Sequence, residues 1–258
     1  MGSLKGTLRA ISFLALTLPL MPLQFVFTVL WPTMAQRFPQ IYHCILSRLL
    51  GIRIDVDCND PIIGPCLIVT NHVSWLDIVI LSTLTPLSFV AKRQVAGWPL
   101  FGWLARLQRT VFIDRERRVS THEHGDELQS RLQAGETLVL FPEGTSGDGT
   151  SVMPFKSSFF AAARAPGIVI RPLTLAYSHC WGLPITRRTR PHVAWYGDME
   201  LLPHLWAVLC GGPITVKLVV HDAMSIATGL DRKQAARVAE NTVRQGLWQV
   251  LHAKPNLR

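Results

Sequence analysis

Hydrophobic and polar positions along the chain fall into two regimes. Between Arg9 and Arg37 there is no charged residue, and the stretch AISFLALTLPLMPLQFVFTVLW, Ala10 to Trp31, is apolar almost throughout. About 20 apolar residues are enough for a helix to cross a bilayer core, so this stretch predicts a membrane segment. Pro19 and Pro22 lie in its middle, where each removes a backbone donor. Lys5, Arg9, Arg37, Arg48 and Arg53 flank both ends, so the distribution of basic residues does not orient it. A single crossing and a kinked or re-entrant helical hairpin, with both ends on the cytoplasmic side, satisfy the pattern equally. The apolar stretch is long and no small-x-small cleavage site follows, which predicts a retained anchor rather than a signal peptide.

The second regime begins after a basic connecting region, QRFPQIYHCILSRLLGIRIDVD. Short β-rich runs there alternate with stretches of helical length. The expected strands are Cys66–Thr70, Leu87–Ala91, Thr110–Asp114, Thr137–Phe141, Ile168–Ala176, Val193–Tyr196 and Ile214–Val220. The expected helices run from Leu76 to Leu84, Leu100 to Gln108, Ser120 to Ala134, Phe155 to Ala165 and Asp231 to His252. Ser120 with Glu123 reads as a capping box, and Gly135 as the stop of that helix. Such alternation predicts an α/β fold with a mixed, largely parallel sheet flanked by helices, preceded by the N-terminal hydrophobic membrane helix or helical hairpin. Two units are expected: an anchor and basic connecting region over 1–48, and a catalytic domain over 49–258.

Composition narrows the partners. Apolar residues make up 48% and charged residues 17% of the 258, with a formal charge of +9. A chain this apolar and basic points to an anionic membrane surface rather than to nucleic acid. The five cysteines, Cys44, Cys58, Cys66, Cys180 and Cys210, are odd in number and never in a C-x-x-C spacing. They read as buried thiols in a reducing compartment rather than disulfides or zinc ligands. His192, His204 and His221 have no aspartate or cysteine at metal-ligand spacing, and His122 and His124 read as solvated.

Candidate chemistry gathers at two strand exits, where α/β sheets place their sites. The first, CLIVTNHVSWLD, carries His72 and Asp77. A five-residue offset turns through about 500° on a regular helix, leaving the two side chains ~140° apart. They meet only if His72 lies in the strand-to-helix turn and Asp77 in the first helical turn. A carboxylate so placed fixes the imidazole tautomer and leaves the other nitrogen as a base. Taken alone, the stretch also fits Asn71 or Ser74 capping a helix, with His72 satisfied in the core. The second exit, FPEGTSGDG, carries Glu143 before Gly144, in a turn whose N–H groups can face an anion or oxyanion. A plain glycine turn fits it too. The run RTVFIDRERR places Arg115 just past a strand, with a guanidinium fork suited to phosphate or carboxylate. No G-x-S-x-G occurs, so a covalent acyl-enzyme lacks its nucleophile.

The order N-H-x-x-x-x-D, F-I-x-R, F-P-E-G-T and then the proline-containing strand IVIRPLTLAY resembles the glycerolipid acyltransferase family, which includes the 1-acyl-sn-glycerol-3-phosphate acyltransferases. The resemblance covers Cys66 to Tyr177. It implies that His72 is the general base on the acceptor hydroxyl and Asp77 its orienting partner. It also implies that Arg115, Glu143, Gly144, Thr145 and Lys92, the last within VAKRQVAGWPLFG, bind substrate. The acyl group would pass directly from an acyl carrier protein or coenzyme A thioester to a membrane lipid acceptor, with no metal and no cofactor beyond that co-substrate. The site would lie on the cytoplasmic side of the inner membrane. Two positions depart from the lysophosphatidate-using pattern: Ser146 replaces an arginine after F-P-E-G-T, and Arg109 replaces a glycine before F-I-x-R. FPEGTS.DG, PFKSS and WYGDMELLPHLW are similar to the lyso-ornithine lipid O-acyltransferase branch, so lyso-ornithine lipid is the expected acceptor, with lysophosphatidate the alternative. Two rivals remain: a hydrolase using His72 and Asp77 to activate water, and a non-catalytic lipid-binding protein. The latter requires His72 and Glu143 to lie apart.

Overall fold

In the computed structural model, the described residues are 2–58, 60–62, 64–113, 120–161, 163, 167–225 and 231–253, with the side chains of 120–124 excepted. The apolar N-terminal stretch forms one helix, α1 (Gly2–Leu30), which continues through Pro19 and Pro22. It is long and apolar enough to cross a membrane. The chain turns at Trp31, and Pro32 opens α2 (Pro32–Leu50), in the first helical turn where its missing N–H costs nothing. Gly51, at φ 75°, ends α2 by donating its N–H to Arg48 and Ser47 carbonyls. The hairpin therefore folds back at Trp31 rather than at the prolines. Thr17 Oγ1 meets Tyr42 Oη at 2.8 Å, and Gln24 Nε2 donates to the Ala35 carbonyl at 2.9 Å. Phe27 packs edge-on against Phe38. The faces of α1 are inverted relative to a soluble helix: Thr17 and Gln24 are buried, while Leu14, Leu18, Phe25, Val26 and Val29 are exposed. An apolar outer face belongs in lipid, where inward polar groups find protein partners.

The connecting region thus holds α2 and also a strand, β1 (Ile52–Cys58), neither of which the sequence reading separated. The remaining strands are β2 (Leu67–Thr70), β3 (Ser88–Lys92), β4 (Val111–Ile113), β5 (Leu138–Leu140), β6 (Ile170–Cys180), β7 (Leu183–Pro184) and β8 (Ile214–Val220). They form one sheet in the order β1-β8-β6-β2-β5-β3-β4, with β7 paired to β6. Along this path β6 and β8 pair antiparallel and the other pairings are parallel. This is the mixed, largely parallel sheet the alternation predicts.

The helices are α3 (Leu76–Leu81), α4 (Phe101–Leu107), α5 (Ser120–Gln133), α6 (Leu201–Cys210) and α7 (Arg232–His252). Asp231 caps α7 in a capping box with Gln234. The strand period of 2 divides the core: Ile68 packs with α3 and α6 residues on one face, while Leu67 and Val69 pack with α5 and α7 residues on the other. Two expected elements do not form as read. Val193–Tyr196 is not a strand, because its donors are used elsewhere: Val193 and Ala194 N–H bond the Arg190 carbonyl, and Trp195 N–H bonds the Val73 carbonyl. Phe155–Ala165 does not form an α-helix within its described part, where a 3₁₀ turn runs over Ser157–Phe160. α6 lies in a segment for which the sequence reading predicted no helix.

Candidate active site

Because β2, β5, β3 and β4 run parallel side by side, their C-terminal ends open on the same edge of the sheet. That topology alone brings the two polar strand exits together. At the end of β2, Asn71 is buried and uses its amide like a further ladder residue: Nδ2 donates to the Leu175 carbonyl at 2.8 Å, and Oδ1 accepts from Leu175 N at 2.9 Å. The turn after it is thereby tied to β6.

His72 lies in that turn, outside any helix, and Asp77 lies in the first turn of α3. His72 Nδ1 and Asp77 Oδ2 are 2.8 Å apart. The same carboxylate oxygen accepts the backbone N–H of Val73 at 2.7 Å and of Ser74 at 3.0 Å. Its second oxygen, Oδ1, accepts from Tyr177 Oη at 2.6 Å. Asp77 is fully buried, and such an anion persists only when donors surround it, as they do here. Since an ionised carboxylate accepts but never donates, Nδ1 carries the proton in neutral His72, and the lone pair sits on Nε2. The imidazole stacks on Phe141 with ring centres 3.9 Å apart, and Phe141 stacks in turn on Phe89. The His72 side chain keeps 19% of its surface exposed, so the ring is fixed yet reachable.

The second exit wraps this turn. Gly147 N–H donates to the His72 carbonyl at 2.8 Å. Gly149, at φ 78°, leaves room for Val73: a Cβ there would approach Val73 Cγ1 to 3.1 Å. Ser146 Oγ donates to the Trp195 carbonyl at 2.5 Å, while Trp195 N–H holds the Val73 carbonyl at 2.9 Å. Glu143 is buried and accepts the Met153 N–H at 3.3 Å. Burial pushes its carboxyl up to about 8, with Asp77 and Glu240 raising it further and the Met153 and His72 backbone N–H groups opposing them. Burial and the Asp77 charge likewise push the Tyr177 phenol well above its ordinary range, so it stays a donor.

Of the residues implied by the resemblance, His72, Asp77 and Glu143 therefore converge. Gly144, at φ 79°, and exposed Thr145 continue the same turn. Lys92 ends β3 at the same edge of the sheet and is exposed. Arg115 lies outside the described residues. Tyr177 and Phe141 build the site without a role read from the sequence, and Asn71, read there as a helix cap, instead ties the turn to β6. The two departures also have structural places. Arg109 sits at the entry of β4, the end opposite the site, and pairs with Glu136. Its φ of 60° accounts for glycine suiting that position.

Beside the dyad, an apolar cavity of about 220 Å³ runs between the α1–α2 hairpin, α3, α4 and α6. Trp75 and Ile78, from the segment that carries His72 and Asp77, and Phe89, which stacks on the Phe141 ring beneath His72, all line it. A half-buried histidine held by a buried carboxylate next to a slot of hydrocarbon character, on an α/β scaffold with a lipid-facing helix, defines a class: an enzyme working on acyl chains at a membrane.

Comparison with known proteins makes the class specific. The family model described as Acyltransferase matches residues 53–176, and the chain belongs to this acyltransferase family. It is 40% identical to the lyso-ornithine lipid O-acyltransferase of Brucella abortus over 97% of this chain and 96% of that one. It is 38% identical to the protein of the same name from Rhizobium meliloti, over 90% and 82%. A 1-acyl-sn-glycerol-3-phosphate acyltransferase of Neisseria gonorrhoeae is 31% identical over 69% and 68%. In fold, the chain is similar to the crystal structure of the 1-acyl-sn-glycerophosphate acyltransferase of Thermotoga maritima, with a TM-score of 0.71 over 99% of this chain and 100% of that one, at 19% identity.

Proposed function

We propose that this enzyme esterifies the hydroxyl of a one-chain lysolipid, lyso-ornithine lipid, with an acyl group taken from an acyl carrier protein or coenzyme A thioester. The observation that carries the reading is the 2.8 Å contact of His72 Nδ1 with a buried, four-times hydrogen-bonded Asp77. His72 Nε2 removes the proton of the acceptor hydroxyl as its oxygen attacks the thioester carbonyl. The tetrahedral intermediate then expels the thiolate, which takes the proton back from His72. Acyl chain and proton both change hands without an enzyme ester, metal or further cofactor. Asp77 holds the tautomer and offsets the transient imidazolium charge.

Glu143, Gly144, Thr145, Lys92 and Arg115 form the acceptor side in this reading. With its carboxyl raised to about 8, Glu143 is mostly uncharged at pH 7 and does not repel an anionic headgroup. The apolar cavity takes an acyl chain. α1 holds the enzyme in the inner membrane with the site on its cytoplasmic side, and the +9 charge favours an anionic surface and an acidic carrier protein. Lyso-ornithine lipid is favoured as acceptor because the relatives of that name match 36–40% over most of the chain. The 1-acyl-sn-glycerol-3-phosphate reading rests on the Neisseria relatives at 30–31% over 69% of the chain.

The test is a mass-spectrometric assay of the purified enzyme with labelled acyl donor, offering lyso-ornithine lipid and lysophosphatidate side by side. The expected product is the two-chain ornithine lipid, and His72→Ala abolishes it while far-UV circular dichroism stays unchanged. Fatty acid released at equal rates with and without acceptor would instead establish a hydrolase.

A further inference from the structure

Residues 152–156, VMPFK, follow the F-P-E-G-T turn and lie against it outside any helix or strand. A segment with no ladder of its own must find partners for its backbone elsewhere, and here they come from two sides. Toward the site, Met153 N–H donates to Glu143 Oε1 at 3.3 Å and Lys156 N–H to the Pro142 carbonyl at 3.0 Å. Toward α7, Phe155 N–H donates to Glu240 Oε2 at 2.8 Å, and the Val152 carbonyl accepts from Arg244 Nη2 at 3.3 Å. Pro154 has no N–H to satisfy. Arg244 also pairs with Glu240 Oε1 at 2.5 Å, one helical turn away on α7. The side chains divide in the same way. Val152 and Phe155 are buried in the core that holds Ala236, Ala239 and Val243 of α7. Met153 faces the turn instead: a Cβ on Gly147 would meet its Cε at 3.3 Å. The segment therefore transmits the position of α7 to the turn that carries Glu143, although 97 residues separate Glu143 from Glu240.

We propose that Glu240 and Arg244 of α7 are positioning residues for the acceptor side of the site, acting by holding residues 152–156 against the turn of Glu143 and Gly144. α7 packs on the face of the sheet opposite α3, so the two residues act through this segment and not on the reacting atoms. Asp77 is held separately, by the Val73 and Ser74 N–H groups and the Tyr177 hydroxyl. Loosening the segment therefore disturbs the seat of the acceptor and leaves the His72–Asp77 pair in place. The proposal rests on the reading of this turn as the acceptor side of an acyltransferase.

The experiment measures steady-state kinetics of the full-length purified enzyme, varying the thioester donor and the lysolipid acceptor in turn, with whichever of lyso-ornithine lipid and lysophosphatidate it acylates. Glu240→Leu leaves the Phe155 N–H buried without an acceptor; the acceptor KM is expected to rise roughly tenfold, with donor KM unchanged and kcat within about twofold. Glu240→Gln keeps an oxygen for that N–H and brings the acceptor KM back to within about threefold of the unaltered enzyme. Arg244→Met alters a side chain that is 47% exposed, so it keeps the fold. It is expected to raise the acceptor KM about threefold, and in the double variant with Glu240→Leu the two effects fall short of their product, because both act through one segment. A role in stability alone gives a different pattern: loss of folded enzyme lowers the apparent kcat and moves neither KM. An acceptor KM unchanged in both Glu240→Leu and Arg244→Met would overturn the positioning role, as would an equal rise with Glu240→Gln and Glu240→Leu. Should Glu240→Leu not fold, an unchanged acceptor KM in Arg244→Met overturns it alone. Absence of transfer by the unaltered enzyme with either lysolipid would instead refute the acyltransferase reading beneath it.

Discussion

Glu143→Gln isolates one carboxyl whose environment the structure defines. Glu143 is 4% exposed, and its carboxyl is pushed from its ordinary 4.5 up to about 8. Burial is the largest cause, so the folded enzyme holds this proton more tightly than the unfolded chain does. The stability slope with pH follows the protons bound unfolded minus those bound folded, which is negative between those two values. Stability from this group is thus complete below pH 4.5 and is lost as pH rises to 8. At about 1.4 kcal/mol per pH unit, the loss reaches about 3 kcal/mol at pH 7 and roughly 5 kcal/mol above pH 8. Glutamine has the same shape, accepts the Met153 N–H in the same way and never ionises. Urea melts of both proteins in one detergent at pH 5, 6, 7 and 8 should therefore start together and separate, with the variant the more stable. Every other titrating group is common to the two, so their difference cancels it. Parallel curves across this range would mean that the folded site already holds an ionised carboxylate, and the desolvation argument would fall.

Tyr177→Phe leaves Asp77 Oδ1 buried without a donor, at a cost of about 1–3 kcal/mol of stability; denaturant melts should show it, and kcat should fall with little change in KM. Gly149→Ala places a methyl 3.1 Å from Val73 Cγ1 at a φ of 78°, adding about 1–2 kcal/mol of backbone strain. Because Val73 N–H holds Asp77, single-turnover rates should drop along with the melting temperature. Arg109→Gly relieves a left-handed backbone but loses the pairing with Glu136, so stability should change by under about 1 kcal/mol. Steady-state acyl transfer should not change, which checks that this position lies away from the headgroup site.

The dyad was legible because its spacing is a geometric constraint. Two residues five apart meet only across a turn, and the structure supplies that turn. The parallel strands were legible from apolar runs, and their shared exit edge follows from parallel pairing. Tyr177 was not legible as a partner of Asp77, since 100 residues separate them. Its contact depends on the register of β6 against β2, Thr70 opposite Leu173. The period-2 face Leu173, Leu175, Tyr177 did carry a signal: a hydroxyl at the end of a buried apolar stripe needs a partner. β1 also left a trace, with Ile52, Ile54 and Val56 alternating against Arg53, Asp55 and Asp57, but the basic helix before it made the segment read as a connector. Val193–Tyr196 has strand composition and lacks a ladder, because Trp195 spends its N–H on the turn that holds His72.

That last contact bears on how the two departures from the lysophosphatidate pattern are weighed. From the letters alone, Ser146 and Arg109 both subtract from a phosphate pocket. In the structure they differ in kind. Arg109 belongs to an ion-pair group with Arg131 and Glu136 at the end of the strands opposite His72 and Asp77. Ser146 belongs to the site: its hydroxyl holds the Trp195 carbonyl, whose N–H side holds Val73, which in turn donates to Asp77. An arginine at 146 could keep that link only with a longer side chain in the same gap, or give it up to reach a headgroup anion. Acceptor choice, in the proposed reading, and the rigidity of the His72 turn thus meet at one position. This is a physical reason for an enzyme whose acceptor is not a phosphomonoester to carry serine there, and it makes Ser146 the informative residue of the pair.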